Sequence, residues 1–326
     1  MVQGSGLACT LGLLLAVCAA GLATDAVAGA LEIPGCGGAG PPAAPPGRLG
    51  VVFAGGGAKA AYEAGVALAL RERGVRPTVA AGTSSGAVTA VMVALGAEDR
   101  LAALWRAVRP EDVIAWRPGT VLGGLLPGWL AVAVLREAGA LLDPAPLRTT
   151  LAREVDLARL RETPTRVLVL AADLATGESR RFDNGTLTLD ALLASATVPG
   201  LFPPVRADGG LLVDGGVLER APILEVLEAH ALDQLLVVLG YGGGAPAGTS
   251  VRAVLERAFE LALAREVLRD AELARWRHPR VGVRVLRPSE PLAVRPLDFD
   301  GARLGRLVEL GRRDGLECLA RLGYGP

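Results

Sequence analysis

Lysine is almost absent. Of 34 basic residues, Lys59 is the single lysine and the others are arginines. Histidine occurs twice, at His230 and His278, and cysteine four times, at Cys9, Cys18, Cys36 and Cys318, with no CxxC pair. This excludes a zinc site built from cysteine and histidine at the usual ligand spacings. No calcium loop is visible either, so no metal and no cofactor are expected, and activity is expected in chelator. Aromatic residues make up only 4% of the chain, so its core must be mostly alanine, leucine and valine. An excess of one charge is also missing: 34 basic residues balance 34 acidic ones. No basic stripe with interleaved aromatics occurs, which argues against nucleic acid as a partner. Apolar residues are plentiful, 51% of 326 residues against 21% charged. That composition supports a sizeable core and excludes global disorder. The length fits two domains or one large α/β domain.

Residues 4–24 carry no charge, and residues 11–23 are an apolar run rich in leucine and alanine. Small-residue pairs follow at Gly21/Ala23 and Ala26/Ala28, and either fits a small-x-small cleavage site. Residues 1–28 therefore read as a signal peptide or a membrane anchor, although no lysine or arginine precedes Arg48 to supply the usual positive n-region. Cys18 follows Leu15-Ala16-Val17, a poor match to a lipidation site. The expected location is exported (secreted or periplasmic) or anchored through this segment. Residues 29–47 include PGCGGAGPPAAPP and read as a Gly/Pro/Ala linker, with the folded domain starting near Arg48. Once the leader is removed, Cys36 and Cys318 remain, and a disulfide tying the linker to the C-terminal helix is the resulting hypothesis.

Residues 49–54 (LGVVFA) are a short apolar run bounded by a glycine cluster, which predicts a buried strand. Residues 58–73 are helical in composition and end at Gly74. Residues 79–81 predict a second strand, followed by Gly82-Thr83-Ser84-Ser85-Gly86 and a helix over 87–95. Strand, glycine turn, helix, strand, sharp turn, helix is the start of a parallel α/β sheet. Residues 166–172, 234–239 and 280–286 predict further buried strands. Residues 190–197 predict a short helix, 251–277 a long amphipathic helix and 303–313 a terminal one. Residues 101–155 differ, carrying Trp105, Trp116 and Trp129. Within them, 119–135 is apolar with glycine and proline breaks. It reads as an ordinary helical layer on the sheet or as an apolar cap that admits lipid.

Gly82 to Gly86 fits G-x-S-x-G, in which Ser84 sits on a strained turn between strand and helix with its hydroxyl exposed. Alone the match is weak in so glycine-rich a chain; the strand before it and the helix after it strengthen it. Gly55-Gly56-Gly57 follows the first strand and opens a helix, so its backbone N–H groups can point at an anion. One use is an oxyanion hole. The rival is dinucleotide binding, since Gly55-x-Gly57-x-x-Ala60 satisfies G-x-G-x-x-G/A. That reading needs an acidic residue at the end of the second strand, and none occurs between Glu72 and Glu98. A P-loop fails because no Gly-Lys-Ser/Thr follows. Asp214-Gly215-Gly216 follows the apolar Leu211-Leu212-Val213, which places a carboxylate at a strand end. Asp208-Gly209-Gly210 is nearly identical, and spacing alone does not choose between a cleft carboxylate and a hairpin turn.

Taken together, these motifs resemble the patatin-like phospholipase family, which runs G-G-G-x-K/R-G, then G-x-S-x-G, then D-G-G/A. Here they stand in that order as Gly55-Gly56-Gly57-Ala58-Lys59-Ala60, Gly82 to Gly86, and Asp214-Gly215-Gly216. Residues 194–204 (ASATVPGLFPP) and 173–177 (DLATG) also look like family segments. The resemblance is clear over residues 48–227, read as the catalytic domain. Residues 228–326 read as an α/β extension completing the same domain. It implies an α/β fold, a three-layer sandwich with a central, mostly parallel sheet. It selects Asp214 over Asp208, because a short turn and a proline, here Pro222, follow the family's aspartate. Two positions depart from the pattern. Ala60 replaces a glycine, tolerable if already helical, and Arg220 stands where the family often has asparagine.

The activity implied is that of a lipid acyl hydrolase, of phospholipase A or lysophospholipase type, acting on a lipid or phospholipid at a membrane or micelle surface. Ser84 would attack the ester carbonyl and Asp214 would take its proton. The N–H groups of Gly56, Gly57 and Ser85 would stabilise the oxyanion. Lys59 would hold the loop or meet a phosphate, or else be a solvated helix charge. A free aspartate has a pKa of about 3.9, so such a Ser-Asp dyad needs a dry site that destabilises the carboxylate. Two alternatives stay open: a Ser-His-Asp triad using His230 or His278, which both follow Asp214, and a catalytically silent lipid-binding protein.

Overall fold

The computed structural model of the protein describes residues 35–37, 47–118, 139–241 and 249–325. In chain order the first half holds β1 (Gly35–Gly37), β2 (Leu49–Phe53), α1 (Ala61–Glu72), β3 (Val79–Thr83), α2 (Ser85–Ala94), α3 (Glu98–Ala107), β4 (Ala115–Trp116), β5 (Leu142–Asp143) and α4 (Ala145–Glu154). Next come α5 (Leu157–Leu160), β6 (Arg166–Asp173), β7 (Ser179–Phe182), α6 (Leu189–Ser195), β8 (Val205–Ala207) and β9 (Gly210–Asp214). The chain closes with α7 (Ile223–Ala229), β10 (Gln234–Val238), α8 (Val251–Arg277), β11 (Gly282–Arg287) and α9 (Gly301–Arg321).

β2 is apolar throughout and buried at every position, as suits a parallel strand covered on both faces. It lies between β10 and β3, parallel to both. Among the described residues the sheet runs β1-β11-β10-β2-β3-β6-β9-β8, with β7 also pairing β6. Its centre, β11 to β6, is parallel. The antiparallel strands β1, β7, β8 and β9 lie outside that centre. Successive side chains of β2 point to opposite faces. Val51 and Phe53 join a core with residues of α1, α2, α3 and α9. Val52 joins a second core with Val226 of α7 and Val267 and Ala271 of α8. Two cores on the two faces of one sheet make the expected three layers. Residues 61–70 of α1 are all buried, as an alanine- and leucine-rich helix with no polar face requires.

The linker reading of residues 29–47 is corrected at residues 35–37. β1 pairs antiparallel with the edge of β11, and Cys36 forms a disulfide with Cys318 of α9. The edge backbone of β11 thereby gains partners for its N–H and C=O groups, and the folded part begins before Arg48. α9 runs to Arg321, beyond the predicted end at 313. The predicted leader (1–28) and the proposed cap, with Trp129, lie outside the described residues. No described helix is long and apolar enough to cross a membrane.

Candidate active site

β3 ends at Thr83, α2 begins at Ser85, and Ser84 makes the turn between them with φ 60° and ψ −135°. A non-glycine residue rarely adopts such a backbone, and it persists only where the surroundings impose it. They do so here by close packing. A methyl group placed on Gly82 would stand 2.4 Å from the Gly86 carbonyl oxygen, and one on Gly86 would stand 2.2 Å from that of Phe53. The Ser84 N–H donates to the Ser195 hydroxyl oxygen at 3.1 Å, which adds a contact from α6. Ser84 is 6% exposed, and what exposure it has opens into a cavity.

The glycine loop forms the adjacent wall. Gly55, Gly56 and Gly57 all have positive φ, at 70°, 131° and 61°. A 3-10 turn over Gly57–Ala60 then leads into α1, so Ala60 is helical as expected. The Gly55 N–H donates to Glu63 Oε1 at 2.8 Å, and the Ala58 N–H donates to the Pro296 carbonyl at 2.8 Å. Gly56, Gly57 and Ser85 line the cavity beside Ser84. Among the described residues their N–H groups are committed to no other acceptor.

Asp214 closes β9 and is 3% exposed. Its Oδ1 accepts the Gly216 N–H at 2.8 Å, capping the short turn Gly215–Val217. Its Oδ2 is buried with no hydrogen-bond partner among the described residues. Burial pushes the carboxyl above its ordinary value, while the Arg220 charge, the Ser84 hydroxyl and the Gly216 N–H pull it back. The Ser84 hydroxyl thus lies close enough to the Asp214 carboxyl to favour its ionised form. Asp208, by contrast, is in the β8–β9 hairpin turn and pairs on the surface with Arg180. The two Asp-Gly-Gly sequences separate into a turn and a buried carboxyl.

Lys59 is not a solvated charge. It is 5% exposed, ion-paired with Glu260 of α8, and its Nζ lies 5.1 Å from the centre of the Tyr241 ring. It fastens the glycine loop to α8. His230 and His278 sit at the C-terminal ends of α7 and α8, and neither lines the cavity. Glu63, Tyr241 and Glu260 were not singled out by sequence reasoning. Each meets partners from distant segments, so no local pattern marks it. Glu63 is fully buried, and burial pushes its carboxyl up to about 8 against the Gly55 N–H and the Arg220 charge.

The cavity holds about 470 Å³. Beyond the polar wall just described it is apolar, with Val88, Leu101, Trp105, Leu151 and Phe299 among its lining. Trp105 stacks on Phe299, ring centres 6.4 Å apart, so the first of the three predicted tryptophans belongs to the cavity wall. A hydroxyl on a strained turn, a buried carboxyl and a largely apolar cavity bordered by the glycine loop together suit acyl transfer from an apolar ester.

A family profile described as patatin-like phospholipase matches residues 51–227. That span contains the glycine loop, the Ser84 turn and the Asp214 turn. An uncharacterized NTE family protein of Mycobacterium tuberculosis is 31% identical over 201 residues, covering 61% of this chain and 51% of that protein. A patatin-like phospholipase domain-containing protein of Caenorhabditis elegans is 27% identical over 178 residues, covering 53% of this chain and 12% of that protein. The crystal structure of VipD from Legionella pneumophila aligns with a TM-score of 0.44 at 17% identity, over 85% of this chain and 67% of that one. The chain spans about half or less of the length of these two curated relatives. On the profile match, which covers more than half of its residues, the chain belongs to the patatin-like phospholipase family.

Proposed function

We propose that this protein is a lipid acyl hydrolase that cleaves carboxylic esters through a Ser84/Asp214 dyad and an acyl-enzyme. The observation that carries the reading is the strained Ser84 turn opening into an apolar cavity with a buried carboxyl in reach. Ser84 Oγ attacks the ester carbonyl, and Asp214 Oδ2, the oxygen without a partner, receives the hydroxyl proton. The N–H groups of Gly56, Gly57 and Ser85 stabilise the tetrahedral oxyanion, and collapse expels the alcohol, which takes the proton back. Water then repeats the sequence on the acyl-enzyme and releases the fatty acid. Desolvation makes Asp214 a better base than an exposed aspartate, because its ionised form is less comfortable and binds a proton more readily. The apolar lining favours a long acyl chain, of the kind carried by phospholipid or lysophospholipid.

The test is turnover of a short-chain p-nitrophenyl ester and a phospholipid, together with labelling by a fluorophosphonate probe. Wild type is expected to turn over both substrates and to label, and Ser84→Ala to do neither. The double variant His230→Ala/His278→Ala is expected to match wild type, since both histidines lie away from the cavity. Loss of activity in the histidine variant would move the protein to the triad class. Folded wild type that neither labels nor turns over ester would make it a lipid-binding protein instead.

The proposal includes location. Disulfides persist in oxidising compartments, so the Cys36–Cys318 bond supports reading residues 1–28 as an export signal or anchor. A reporter fused to residues 1–47 is expected to be active outside the cytoplasm; activity confined to the cytoplasm would count against export.

A further inference from the structure

We propose that Arg220 is a positioning residue for this chemistry: a cation locked between the glycine loop and the Asp214 turn that serves as the counter-charge of the buried Asp214 carboxylate. The inference rests on the dyad reading above. Its basis is how the guanidinium is held. One Nη donates to the Tyr241 hydroxyl, and the guanidinium carbon lies 5.5 Å from the centre of that ring. The Arg220 N–H donates to Glu266 of α8 at 3.1 Å, which fixes the backbone. A methyl group placed on Gly216 would stand 2.8 Å from Arg220 Nη1 and 3.0 Å from Asp214 Oδ1. Guanidinium and carboxyl therefore flank the same glycine. Tyr241 in turn leans on the loop: a methyl group on Gly56 would stand 2.8 Å from its hydroxyl oxygen. A continuous chain runs from the oxyanion loop through Tyr241 and Arg220 to the base.

The charges around this chain leave Arg220 one main client. Lys59 is answered by Glu260, which Arg257 also approaches at 3.3 Å. Glu63 faces Arg220, but its carboxyl, pushed up to about 8 by burial, is mostly protonated at neutral pH. Asp214 faces the Arg220 charge, the Ser84 hydroxyl and the Gly216 N–H. Among the described residues no carboxylate closes a direct ion pair with Arg220, and its Nε is buried without a partner. The cation is thus available to stabilise the ionised form that a base requires. Arg220 also borders the cavity, so contact with a substrate phosphate is the competing role. Its commitment to Tyr241 and its place beside Gly216 favour the positioning role.

The test compares pH profiles of kcat and kcat/KM for Arg220→Gln, Arg220→Lys and Tyr241→Phe, with thermal unfolding as the fold control. The substrates are a short-chain p-nitrophenyl ester, which has no phosphate, and phosphatidylcholine micelles. Arg220→Gln is expected to lower kcat at least about tenfold on both substrates. It should also move the acidic limb of kcat/KM upward by about one to three pH units, the usual effect of removing an opposite charge beside a carboxylate. Arg220→Lys restores the charge and should recover most of the limb. Tyr241→Phe keeps the cation and removes only its anchor, and should lower kcat and move the limb the same way by less. A limb and kcat unchanged in Arg220→Gln overturn the inference. A rise in KM for phosphatidylcholine alone also overturns it and makes Arg220 a phosphate contact. If Arg220→Gln does not fold, unchanged kcat and limb in Tyr241→Phe decide against it. Retained turnover in Ser84→Ala is a different failure, that of the dyad reading itself.

Discussion

Ser84→Ala is expected to lower kcat/KM for a p-nitrophenyl ester by about 10⁴-fold or more, to the level that binding and oxyanion donors alone sustain. The substitution removes one oxygen and keeps the Cβ that the crowded turn already accommodates, so thermal unfolding should barely move. Asp214→Asn is the companion. Asparagine matches the carboxyl in shape and keeps an oxygen for the Gly216 N–H, which caps the following turn at 2.8 Å. What it loses is the capacity to take a proton. The expected cost is about 10²- to 10⁴-fold in kcat, the range for loss of a general base. The two variants should differ toward a fluorophosphonate. Ser84→Ala has no nucleophile and should not label at all. Asp214→Asn retains the hydroxyl and should label slowly. Asp214→Asn with wild-type turnover would remove the aspartate from the mechanism while leaving Ser84 in it. Full activity in both would place the reaction elsewhere in the molecule.

What could be read from the sequence was local. β2 and β3 are short apolar runs closed by glycine, and both form where predicted, β3 extending to Thr83. α8 spans the predicted 251–277. Spacing alone left Asp208 and Asp214 as equal candidates, and the family resemblance selected Asp214. Burial separated them: β9 carries Asp214 inward, and the hairpin carries Asp208 outward. What stayed hidden depends on partners far along the chain. The pattern PGCGG has no strand signal, yet β1 forms because β11 offers an edge and Cys318 a covalent partner 282 residues away. Glu63 lies on a helix, where a glutamate usually faces solvent, and is nevertheless fully buried under the glycine loop. Lys59 meets Glu260, 201 residues later, and Arg220 meets Tyr241 across a strand and a helix.

The terminal helix shows how a local rule can mislead. The apolar spacing of Leu304, Leu307, Val308 and Leu310 predicts a helix over 303–313, yet the helix continues through Gly311, Asp314 and Gly315 to Arg321. In the fold those small residues are the contact surface. α9 lies so close to α1 that a methyl group on Gly311 would stand 1.9 Å from the Tyr62 carbonyl oxygen. Asp314 is not a break either: it accepts hydrogen bonds from the Tyr62 hydroxyl and from Ser289. Helix propensity is a weak prior, and tertiary packing overrides it here.

Gly57→Ala is the second large effect, and it adds a single methyl group without touching either dyad residue. Gly57 has φ 61°, and its Cβ would stand 2.1 Å from the Pro296 carbonyl oxygen, the same oxygen that accepts the Ala58 N–H at 2.8 Å. The obstacle is backbone, so it cannot rotate away. The loop must retreat, and the Gly56 and Gly57 N–H groups retreat with it. Loss of one oxyanion donor typically costs about 10²- to 10³-fold in kcat, and that is the loss expected, with KM changing less. The left-handed backbone adds a stability cost of about 1–2 kcal/mol. Gly74→Ala separates the two effects. Gly74 has φ 64° and open space where a Cβ would go, past the end of α1. It should lose a similar amount of stability with kcat intact. If Gly57→Ala also keeps its kcat, the glycine loop is scaffolding, and the oxyanion must be sought at Ser85 and the N-terminus of α2.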